Sequence, residues 1–140
     1  MNYCNDIPPW ELSFLVMTLL RQQSYKVTPL ERKNDQQNDL EIRPTRRNEP
    51  EDSLGWREDD KGPICIAKCF VKRKNQPVEI QTHFGGTPMG LLTDTCDVYL
   101  FWNTDSSTVS WHRRADLLAM LEAGGLTAAK RGSYMVILVP

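Results

Sequence analysis

The sequence has no Cys-x-x-Cys pair, and its two histidines stand far from any second ligand at metal-site spacing, so a structural zinc site is not expected. It has no basic segment leading into a long apolar core. The apolar run from Leu12 to Leu20 is broken by Ser13 and Thr18, so neither a leader nor a membrane span is expected, and the default compartment is the cytoplasm. No sign of charge dominates: the formal net charge is −1, which removes the global case for polyanion binding. There is no internal repeat. The 140 residues, 40% hydrophobic and 25% charged, suffice for one sizeable core, and a single domain spanning 1–140 is expected.

What is present reads as an α/β chain. Residues 8–23 open with Pro-Pro and carry apolar side chains at helical spacing, which predicts a largely buried helix. Short strands follow at 25–30 and 39–42, where Asp39 and Glu41 share one face and Leu40 and Ile42 the other. Residues 43–62 hold one tryptophan, one leucine and little else that is apolar, and read as a polar insertion. Pro63 to Val71 is the strongest strand candidate, interrupted only by Lys68. Pro77 to Phe84 is read as a helix opening on proline. Strands at 97–103, 108–111 and 134–139 and a helix at 114–123 ended by Gly124-Gly125 complete a mixed central sheet flanked by helices. The free cysteines of the 63–71 strand, Cys65 and Cys69, are expected as reduced core residues.

Acids outnumber bases up to residue 62 and bases outnumber acids after it, so a polyanion-facing surface is expected in the second part. Lys72, Arg73 and Lys74 form one basic cluster; His112, Arg113 and Arg114 form another. Each is either a phosphate contact or a solvated turn. Asp39 is either a metal ligand or a turn cap, Lys68 either a catalytic group or an edge-strand charge, and Glu11 a site carboxylate or an ordinary first-turn acid. Trp56 would stack on a base, meet a partner or anchor its loop. His83 is a weaker candidate for a chemical role.

Trp10-Glu11, the leucine-rich helix, Tyr25-Lys26-Val27 and Asn34 to Leu40 together resemble the opening of Mrr-type nucleases of the PD-(D/E)xK superfamily. There a helical glutamate precedes a Gly-Tyr-x-Val strand and a Gly-Asp-x-Gly-x-Asp-Leu segment. Ile66-Ala67-Lys68-Cys69-Phe70 is similar to the family's next strand, which ends in Gln-x-Lys or Glu-x-Lys. The resemblance runs in order over most of 10–126. It implies a restriction-endonuclease-like core, hydrolysis of DNA phosphodiesters, Mg2+ or Mn2+ held by Asp39, Lys68 assisting the attacking water, Glu11 supporting the site from its helix, and a homodimer; the DNA contacts expected beside that site, Lys72, Arg73, Lys74, Arg113 and Arg114, come from the two basic clusters themselves.

Three positions depart from the pattern. Ile66 stands where the family has an acid or amide, Asn34 and Gln37 replace two glycines, and the insertion separates Asp39 from Lys68. Isoleucine gives no side-chain oxygen to a hard cation. Glu41, Glu79 and the insertion acids Glu49, Glu51, Asp52, Glu58, Asp59 and Asp60 are the carboxylates considered to replace it. The alternative function is a catalytically inactive module on the same fold, binding DNA or a protein partner. A third is an interaction domain working through Trp56.

Overall fold

The computed structural model describes residues 9–30, 39–45 and 56–140. Among these described residues it is a mixed α/β structure with two helices and two sheets. The elements run in the order α1 (Pro9–Gln22), β1 (Lys26–Leu30), β2 (Asp39–Arg43), β3 (Arg57–Asp59), β4 (Gly62–Lys72), β5 (Val78–Phe84), β6 (Thr87–Pro88), a 3-10 turn (Gly90–Leu92), β7 (Val98–Asn103), β8 (Thr108–Arg113), α2 (Arg114–Glu122), β9 (Thr127–Arg131) and β10 (Tyr134–Val139). Among the described residues no helix is long and apolar enough to cross a membrane.

The first sheet has the order β1-β2-β4-β7-β8, with β3 on a branch beside β4. β1, β2 and β4 are antiparallel neighbours, β4 and β7 run parallel, and β8 returns antiparallel. Strand alternation gives this sheet two apolar faces. Leu40, Ile42, Cys65, Ala67, Val98 and Leu100 turn toward α1, whose Leu12, Val16 and Leu20, spaced four apart, form its buried stripe. Burying each such leucine contributes about 1.5–3 kcal/mol. The helix ends where Ser24 takes a φ of 71° and the Tyr25 N–H donates to the Leu20 carbonyl.

The opposite face packs on the second sheet, of order β6-β5-β10-β9. Tyr99 and Phe101 meet Val78 and Ile80 of β5, Ile137 and Val139 of β10, and Leu117 of α2. This second sheet corrects the reading of Pro77 to Phe84 as a helix. Val78, Ile80 and Thr82 are buried while Glu79 and Gln81 are exposed, a two-residue period; Pro77 marks the threshold of a strand. β10 then supplies the hydrogen bonds that β5 needs. α2 closes as read: the Gly125 N–H donates to the Met120 carbonyl at 2.8 Å, with Gly124 at a φ of 73°.

Candidate functional site: a charged row across the first sheet

Ile66 and Phe70 face the second sheet, so Lys68 between them does too. Lys68 is paired with Tyr99 on β7, and Tyr99 with His112 on β8. On the other side Leu40 pairs with Ala67, which puts Asp39 one step further along, opposite Lys68. Register partners share a face. Asp39, Lys68, Tyr99 and His112 therefore form one transverse row, and Asp39 at its end is 1% exposed.

The 3-10 turn and the residues after it bring Asp94 onto this row. Lys68 Nζ donates to Asp94 Oδ1 at 2.9 Å and Oδ2 at 3.1 Å, and the Tyr99 hydroxyl donates to Oδ2. The two charged side chains are only 8% and 13% exposed. An ammonium withdrawn this far from water needs a counter-charge, and Asp94 is that charge. Burial, then the bond to Asp94, pushes the Tyr99 hydroxyl far above its ordinary range, which keeps it a donor. Cys96 reports on the whole group. Burial and then the Asp94 charge push its thiol up to about 12, Lys68 opposes them, and Asp39 adds to the rise. Asp39, Lys68 and Asp94 thus act on one buried sulfur. His112 packs against Phe101 at 4.2 Å between ring centroids, and burial lowers its pKa.

No family model, curated protein or solved structure matches the chain. Geometry and chemistry alone therefore bear on the row.

The turn carrying Asp94 is fixed from three sides. Gly90 has a φ of 53°, and a Cβ there would lie 2.1 Å from the Gln81 carbonyl oxygen, so only glycine fits against β5. The Met89 N–H donates to the Thr82 carbonyl at 2.9 Å. Arg114 donates through Nε and Nη2 to the Leu91 carbonyl at 3.0 and 2.7 Å. Asp97 braces the neighbouring strand: it accepts the Ile66 N–H at 2.7 Å and Arg57 Nε at 3.0 Å, and its own N–H returns to the Ile66 carbonyl at 2.8 Å. Sequence reasoning passed over both acids. A signal existed, because a lysine inside an apolar strand requires a carboxylate, and Asp94 and Asp97 directly precede the strand that runs parallel to it.

Other expected site residues lie elsewhere. Glu11 is exposed in the first turn of α1, on the helix that packs on the far face of the sheet. Arg43 holds Asp59 through Nη1 at 2.9 Å and Nη2 at 2.5 Å, and it approaches Glu41 at 3.4 Å. Glu79 is ion-paired to Arg131 at 2.6 Å. Glu58 and Asp60 are exposed. Glu49, Glu51, Asp52, Asn34 and Gln37 lie outside the described residues.

A hard divalent cation needs several oxygens converging on it. Ile66 offers none from its side chain, the Asp94 carboxylate already receives Lys68 and Tyr99, and among the described residues no group of three or more His, Cys, Asp or Glu is placed to hold a metal. Around Asp39 the described side chains thus offer few oxygens for Mg2+ or Mn2+ in this arrangement.

Most of the basic residues assigned to DNA also have structural partners. Lys72 Nζ donates to the carbonyls of Arg73 and Gln76 at 2.7 and 2.5 Å, closing the turn after β4. Arg113 pairs with Asp116 at 2.7 Å, and Arg114 holds Leu91. Arg73 is half-buried and Lys74 exposed. Trp56 stacks on Tyr25 at 6.2 Å between centroids and meets Trp111 at a tilt at 6.1 Å, in a three-ring cluster that ties the end of the insertion to the body. The His83 ring nitrogen Nδ1 meets the Thr82 hydroxyl at 3.0 Å.

Proposed function

We propose that the chain is a DNA-binding module on a restriction-endonuclease-like core whose cleavage site has been closed. Support comes from the strand arrangement, an antiparallel β1-β2-β4 followed by a parallel β7 with α1 on one face, which is compatible with the core implied by the sequence resemblance; the connection from β4 to β7 departs from it, because strand β5 stands where the resemblance implies a helix. Asp39 and Lys68 stand opposite each other on neighbouring strands, an arrangement compatible with the aspartate and lysine that the resemblance implies.

The observation that carries the closed reading is the Lys68–Asp94 pair. With Ile66 in the acid position, Asp94 takes the lysine for itself: the ammonium that would orient water is paired with a carboxylate that Tyr99 also holds. A second reading, an active endonuclease acting as a dimer, is favoured by the opposed Asp39 and Lys68 alone.

Supercoiled plasmid incubated with the protein in Mg2+ and in Mn2+ separates the two. The closed module shifts the plasmid without nicking it. Nicking that disappears in Asp39→Ala and Lys68→Ala would establish the endonuclease instead, and a protein that neither shifts nor nicks DNA would sink both. In the combined Ile66→Glu, Asp94→Asn variant, calorimetry should register a gain in Mn2+ affinity.

A further inference from the structure

The second sheet has a face that no described helix covers. β10 alternates without interruption against β9, so Tyr134, Val136 and Leu138 lie on the side of Arg131, Ala129 and Thr127, while Ile137 and Val139 enter the core. A register shift between Met135 and Val136 places Phe84 directly opposite Tyr134, and Thr87 of β6 lies beside Phe84. The result is a second transverse row, Arg131–Tyr134–Phe84–Thr87, on the outer face.

Its two rings stand 4.8 Å apart at 52° and are exposed, Phe84 by 50% and Tyr134 by 37%. They are two of the large hydrophobic side chains left in solvent, and they adjoin each other on different hairpins. The Gly85 N–H donates to the Ser133 carbonyl at 2.8 Å, which locks the hairpin tips and holds the rings ready-placed. Among the described residues the segments that form this face are short of negative charge: neither 80–93 nor 123–140 contains a single Asp or Glu, although the chain has 18. The nearest acid on the strand, Glu79, is already paired with Arg131. That pair is half-exposed on both sides, and an exposed ion pair holds its arginine weakly enough for a phosphate to take it.

We propose that this row is a stacking platform for the unpaired bases of single-stranded nucleic acid, with Arg131 at the phosphate. The proposal rests on the nucleic-acid-binding reading and names the strand form the chain engages. Bases stack on aromatic faces without regard to sequence, and pre-placed rings with few rotatable bonds lose little entropy on binding.

Fluorescence anisotropy with a labelled oligo-dT strand tests it, beside a labelled duplex of equal length. Wild type binds the strand at low salt. Phe84→Ala weakens binding about tenfold and the Phe84→Ala, Tyr134→Ala pair weakens it further. Phe84→Trp retains it, and Arg131→Gln flattens its salt dependence. Thermal melts check that these exposed substitutions leave the fold intact; should the double alanine variant melt early, Phe84→Trp and Arg131→Gln decide the matter. Wild-type affinity in the double variant, or a wild type that ignores oligo-dT, overturns the platform. So does a concentration-dependent dimer in sedimentation that dissolves in the double variant, since the rings would then face a second copy. Duplex binding with oligo-dT affinity unmoved by ring loss would remove the platform and leave the DNA-binding module standing. Ring-dependent oligo-dT binding without any plasmid shift would do the reverse.

Discussion

Lys68 Nζ lies 2.9 Å from Asp94 Oδ1, and this ion pair joins an interior strand to the turn that precedes its parallel neighbour. Its energetics follow from burial. Removing one partner leaves the other charged and dry, whereas removing both leaves a packing defect and the Tyr99 hydroxyl without its acceptor, but no buried charge.

Asp94→Ala is therefore expected to lower unfolding stability by about 3 kcal/mol, read as a shift of the urea midpoint at constant slope. Lys68→Met should recover much of that loss when added to Asp94→Ala. Additive losses in this double-mutant cycle would show that the pair is not coupled.

Gly90→Ala tests the turn itself. The new Cβ would fall 2.1 Å from a backbone oxygen at a positive φ, so β5 and the turn must separate. A loss of about 2 kcal/mol or more is expected, whereas Gly86→Ala, where a Cβ meets open space, should bear only the cost of its own positive φ. Equal melting temperatures for the two variants would refute the close approach.

Acid stability carries two signatures. The Arg43 hydrogen bond holds Asp59 down at about 2, against an ordinary 3.8. That contribution is complete above the ordinary value and disappears as pH falls through the lower one, so Arg43→Met should remove stability at neutral pH and flatten the fall between about pH 4 and pH 2. His112 works in the other range. Burial lowers its folded pKa below the ordinary 6.5, the unfolded chain binds the proton first, and stability falls as pH drops through that value. His112→Phe should flatten the step near pH 6.5, and a histidine resonance titrating at its ordinary position in the folded protein would contradict the assignment.

The thiols of Cys65, Cys69 and Cys96 are all pushed upward, chiefly by burial. All three are free. They should resist alkylation by iodoacetamide at pH 8 in the folded protein and react once urea unfolds it, because the thiolate is the reactive form. Mass spectrometry of the alkylated peptides reads the result, and rapid labelling of Cys96 without urea would mean that the charged row is open to solvent.

The sequence disclosed those elements whose apolar pattern is strong. α1, β4, β7, α2 and β10 stand close to where periodicity placed them. β9, Thr-Ala-Ala-Lys-Arg, has almost no buried residue and exists through its pairing with β10, which no local pattern announces. β5 was misread because a proline at its threshold suits a helix start as well as a strand start. In the site, Lys68 was conspicuous because charge is rare in an apolar strand. Asp94 was not, since an acid in a connecting segment is ordinary, and only the fold of the turn around Gly90 and Arg114 carries it to the lysine.

The link from β4 to β7 passes through β5, and β5 is secured by β10, with Thr82 donating to a Met135 carbonyl 53 positions away. Long-range pairings of this kind form late, because a large loop must close before any contact rewards it. The turn that carries Asp94 is bonded to β5, and β5 to that last strand. The charge balance of Lys68 therefore depends, through β5, on pairing made by the last strand, because the turn that brings Asp94 is held against β5 and β5 is held by β10.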